Sequence, residues 1–77
     1  MNRDERRRRV DEFIARGSVD PTASPQERSA WFTEAAQIND YLVDEALERG
    51  HDDLAEQAGW LAQEARLEAR RAVRGLN

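Results

Sequence analysis

The chain contains no cysteine, no lysine, a single histidine (His51), two prolines and four glycines. Without cysteine there are no disulfides, no thiolate metal sites and no cysteine nucleophile, and one histidine excludes a histidine-rich metal site. No cofactor is expected. No run approaches the roughly 20 apolar residues of a membrane-spanning helix, and the first residues carry no apolar segment of the kind that directs secretion; a soluble, cytoplasmic protein is the expectation. Aromatics make up 6% of the residues, so each can be considered individually. A triad, a phosphate-cradling glycine loop and metal-ligand spacing are all missing, which makes an enzyme the poorer reading. His51 stands in a turn beside Asp52 and Asp53 and reads as exposed. The use of arginine for all twelve basic positions, with abundant alanine, suits a bacterial or phage source.

What is present is charge, and it is patterned. Residues 1–16 hold six arginines against four acids, residues 17–65 two arginines against eleven acids, and residues 66–77 four arginines against Glu68. The chain is basic at both ends and acidic between them. With 77 residues it forms one small helical domain over 1–77. A chain of that size buries only about 60% of the surface its unfolded form exposes, and self-association is a common remedy.

Local punctuation predicts an all-α fold of three helices. Helix 1 runs over about 3–16, capped by Asn2, with Asp4 and Glu5 in the first turn, and stops at Gly17. A loop follows over 17–24, where Pro21 follows Asp20 among small polar residues. In Ser24-Pro25-Gln26-Glu27 the serine is a cap, the proline takes the first helical position and the glutamate completes a capping box. Helix 2 then extends over about 25–49 to Gly50, and helix 3 over about 53–74, capped by Asp52 or Asp53. The tight Gly50 connection makes helices 2 and 3 a long antiparallel hairpin, and with the short helix 1 an up-down-up bundle follows.

At about 100° per residue, helix 2 carries two neighbouring apolar stripes, Trp31, Ala35, Ile38, Leu42 and Ala46 beside Phe32, Ala36, Val43 and Leu47. So broad a face places helix 2 between both others. Helix 3 offers Leu54, Ala58, Leu61, Ala65, Ala69 and Ala72, and helix 1 offers Val10, Phe13 and Ile14. Gly59, inside helix 3, suggests a close helix crossing. Helix 1 is too short to cover the hairpin groove, and the open part is expected toward Gly50, around Val43, Leu47 and Leu54. Either a second copy closes it, with Asn39 fixing the register as a lone buried amide can, or helix 1 lies obliquely over a shallow alanine groove and Asn39 bonds to a loop carbonyl or reaches water at the helix-1 boundary.

Four surface features bear on function. Arg6–Arg9 form an unbroken run, but spacing by four pairs Asp4 with Arg8, Glu5 with Arg9, Arg7 with Asp11 and Arg8 with Glu12, leaving only Arg6 without an acid. That run therefore reads as a self-paired solvated face. Arg66, Arg70 and Arg74 recur every fourth residue as an unpaired stripe and are the candidate anion-binding residues. Glu34, Gln37, Asp40, Tyr41, Asp44, Glu45 and Glu48 share the polar face of helix 2, continued by Asp52, Asp53 and Glu56, and form a candidate surface for a basic protein. Trp60 and Leu67 make an apolar seam on helix 3 that either helix 1 or a partner covers. The favoured expectation is a non-enzymatic protein-interaction module, an inhibitor or regulator of a basic partner in the manner of an antitoxin or anti-defence protein, and a homodimer. A nucleic-acid-associated dimer using the terminal arginines and a small assembly component are the alternatives.

Overall fold

The computed structural model describes residues 2–74. Three helices account for most of them: α1 Arg3–Arg16, α2 Pro25–Glu48 and α3 Asp52–Val73. The closing Gly75-Leu76-Asn77 stretch lies outside the described residues.

Each boundary has a chemical cause. The Asn2 side chain accepts a hydrogen bond from the Glu5 amide at 2.8 Å, satisfying one of the free donors at the start of α1. The helix ends at Gly17, whose φ of 76° is open to glycine at little steric cost, and the Gly17 amide donates to the Ile14 carbonyl. In the loop, Asp20 Oδ1 accepts from both the amide and the hydroxyl of Thr22 at 2.8 Å, which fixes a local turn. Ser24 caps α2 by accepting from the Glu27 amide at 3.1 Å, and its hydroxyl donates to the Glu27 carboxylate. At the far end the Gly50 amide donates to Leu47 and the His51 amide to Ala46, with Gly50 at φ 74°, a Schellman closure.

That closure revises the expected start of α3. His51 finishes the α2 cap and is also the N-cap of α3, with no side-chain hydrogen bond. Neither Asp52 nor Asp53 caps the helix; both lie in its first turn, where their charge favours the helix dipole.

α2 and α3 pack along their length as the expected hairpin. Eight of the ten buried apolar residues are alanines, and Ala55, Ala58, Ala62, Ala65 and Ala69 are the buried residues of α3. This rotates α3 away from the expected face: Ala55 and Ala62 are buried, while Leu54 and Leu61 are about half exposed. A face of alanines lets the two backbones approach closely, whereas a face bearing two leucines holds them apart. Gly59 does not mark a crossing, since a Cβ built there meets nothing within 4 Å.

The α1 backbone lies against α2 and stays clear of the α3 backbone. Its N-terminus meets the end of α2, with Arg3 on Glu48, and its C-terminus meets the middle, with Arg16 on Glu34, so the chain runs up-down-up. The short helix thus covers the Gly50 end of α2, contrary to expectation. Val10 is the largest fully buried side chain. Phe13 stacks on Trp31 with ring centroids 5.0 Å apart, and both pack with Phe32 against Ala35, Ala36 and Ala65. Ile14, assigned to the core by its spacing, is exposed, because α1 meets one helix and needs only a narrow apolar face. No described helix is long and apolar enough to cross a membrane.

Candidate interaction surfaces

The acidic row of α2 is where α1 docks. Arg3 donates to Glu48 at 2.8 Å, and Arg6 lies 3.6 Å from Asp44 and 3.9 Å from Glu48. Arg7 lies 3.5 Å from Glu45, and Arg16 pairs with Glu34 while its guanidinium sits 5.4 Å from the centre of the Phe13 ring. Tyr41, half-buried, lines a cleft with Val10, Arg3, Arg6, Arg7, Glu45 and Glu48. The face read as open to a basic partner is therefore already occupied by a basic helix of the same chain. Asp40, farther round α2, pairs with Arg66 of α3, while Gln37 and Asp52 are exposed.

The arginine run divides between two roles. Spacing left Arg6 without a partner, yet it is the most enclosed of the α1 arginines that form ion pairs, with 26% of its side chain exposed against 52% for Arg7 and more for Arg3 and Arg16. Its Nε is buried without a hydrogen-bond partner. Of the intrahelical pairs expected, only Arg7–Asp11 forms, at 3.3 Å. Arg8 and Arg9 are exposed. The self-paired reading holds for Arg7, which also reaches Glu45, and fails for Arg8 and Arg9; Arg6, left unpaired by spacing, finds Asp44 and Glu48 because α2 supplies carboxylates that spacing within one helix cannot reveal. The positions Arg3, Arg6, Arg7, Val10 and Phe13 follow a helical repeat and mark the docking face; that signal was present in the sequence.

The other candidate residues are dispersed. Asn39 donates to the Ala35 carbonyl of its own helix at 2.9 Å, so this amide bond is made within α2. Val43 is half-buried and Leu47 exposed. Leu54 instead lines a shallow groove with Asn39, Leu42, Ala46, Ala58 and Leu61, so the expected cluster of Asn39, Val43, Leu47 and Leu54 does not form one surface. Trp60 and Leu67 are 63% and 47% exposed, since α1 lies on the other helix. The arginine stripe of α3 is shortened: Arg66 is paired, while Arg70 and Arg74 have no ion pair among the described residues. Asp20 is held below the usual carboxylate range by its backbone and side-chain hydrogen bonds from Thr22. No cluster of three or more metal-ligating side chains exists among the described residues.

No family model, curated protein or solved structure matches this chain.

Proposed function

We propose that this chain is a non-enzymatic protein-interaction module whose acidic α2 face receives an arginine-rich helical segment of a protein partner, with α1 as the resident occupant that such a segment displaces. The supporting observation is the docking of α1: Arg3, Arg6, Arg7 and Arg16 reach four carboxylates of α2. Apolar burial beneath them is confined to Val10 and part of Phe13. Exposed ion pairs contribute at most about 1 kcal/mol each, so α1 is held loosely enough to be exchanged. A module of this kind acts as an inhibitor or regulator of a basic protein, in the manner of an antitoxin or anti-defence protein. Nucleic acid is the weaker reading, because four of the six α1 arginines that would neutralise phosphates are engaged with α2, leaving only Arg8 and Arg9. A cytoplasmic location belongs to the same proposal and is checked by cell fractionation.

The test uses a labelled peptide of residues 2–17 as the basic helix, added to the full chain. In a Val10→Ala chain the resident helix is weakened, and the peptide is expected to bind about tenfold tighter than to the unaltered chain. Binding should weaken with salt and disappear in Glu45→Lys/Glu48→Lys. A Val10→Ala chain that ignores the peptide, or binding indifferent to those two charge reversals, would sink the proposal.

A further inference from the structure

The outer side of α3 is an unpartnered helix face with an ordered charge pattern. Turning about 100° per residue, Trp60 and Leu67 lie on the side of α3 opposite its buried alanines, and both are exposed. The N-terminal half of this face carries Asp53 and Glu56, with Asp52 beside them; none has an ion pair among the described residues. The C-terminal half carries Arg70, Arg71 and Arg74, of which only Arg71 has a carboxylate, Glu68 one turn away. Acid precedes the apolar pair and base follows it.

We infer that this face of α3 binds the same face of a second copy of the chain, antiparallel and about a two-fold axis. A two-fold interface must be self-complementary, and this pattern is. Place Trp60 of one copy level with Leu67 of the other. Asp53 then comes level with Arg74 of the second copy and Glu56 with Arg71 of the second copy. All these pairs are symmetric about the midpoint between Gln63 and Glu64, so Gln63 also meets Glu64 of the second copy, as a donor to a carboxylate. Each acidic end faces the other copy's arginine end, and the apolar pair closes twice at the centre. A parallel pairing would set acid on acid and arginine on arginine, at a cost. The dimer also gives Arg74, which has no ion pair among the described residues, a carboxylate of the second copy.

At about 1.5 Å per residue the 22 residues of α3 give a contact roughly 33 Å long and one helix wide, toward the small end of specific interfaces. Association is accordingly reversible and salt-sensitive. It uses neither α1 nor the acidic face of α2, so it stands or falls independently of the function proposed above.

The experiment is sedimentation equilibrium on the full chain and on two charge-swapped chains, Asp53→Arg/Glu56→Arg and Arg71→Glu/Arg74→Glu, with helicity checked by circular dichroism. The unaltered chain is expected to dimerise with an affinity that falls about tenfold or more from low to high salt. Each swapped chain alone should be monomeric at concentrations where the unaltered chain is dimeric, and an equimolar mixture should recover a heterodimer. If a swap unfolds α3, Trp60→Ser and Leu67→Ser carry the same test, since they change only solvent-facing side chains and must abolish the dimer. A chain that stays monomeric at low salt overturns the inference. So does a dimer that survives these substitutions.

Discussion

Arg6 and Arg8 are two residues apart in the same run, and the fold treats them differently. Arg6 lies enclosed against Asp44 and Glu48, whereas Arg8 is exposed. Arg6→Ala should destabilise the protein by about 1 kcal/mol through lost stem packing and lost carboxylate contacts, and Arg8→Ala should stay within about 0.5 kcal/mol; urea denaturation separates them. Sequence spacing ranked these two in reverse, because it sees charges within a helix and not those that another helix brings. Asp20 makes a second prediction at this scale. Its carboxyl is held below the ordinary range by Thr22, so the stability it contributes is present above the unfolded-state pKa and is lost as pH falls through the lowered folded value. A side-chain NMR titration should place its midpoint below that of an ordinary aspartate, and Thr22→Val should raise it, although one of the two bonds comes from the backbone and remains.

Among the elements, the caps were the most legible part of the chain. Asn2, Gly17, Ser24 and Gly50 stand where the sequence placed them, because a cap is a local contract between a side chain or a positive φ and a few backbone groups. Ser24→Ala should cost about 1 kcal/mol, read as a lower midpoint in chemical denaturation. Gly59 tests the opposite sign: it is helical, with open space where a Cβ would go, so Gly59→Ala should raise stability by about 1 kcal/mol. The rotation of α3 was not legible. Choosing leucines for the buried face follows hydrophobicity one residue at a time, while the fold follows how closely two helices approach. Ala62, almost wholly buried, sits in that seam; Ala62→Leu should destabilise by roughly 1–3 kcal/mol through overpacking.

At the scale of the whole molecule, the all-α architecture and the hairpin follow from helix lengths and a three-residue connection, and both were readable. The position of α1 was not, since it depends on ion pairs between segments far apart in sequence. The same dependence predicts a graded response to salt. Hydrogen exchange at high ionic strength should speed the α1 amides while those of the α2–α3 hairpin keep their protection, because exposed charge pairs are screened and packed alanines are not. Equal loss across all three helices would show that α1 is integral to one cooperative unit.

The alanine seam has a calorimetric consequence. The heat-capacity increase on unfolding scales with the apolar surface released, about 12–15 cal/mol/K per residue in ordinary domains. Here alanines fill most of the buried positions, while Ile14, Leu47, Leu54 and Leu61 already face water in the folded chain. Unfolding releases little new apolar surface, so the increment per residue should fall below that range. The stability curve is then shallow, with its cold-denaturation limit displaced far below freezing and a broad melting transition at the upper end.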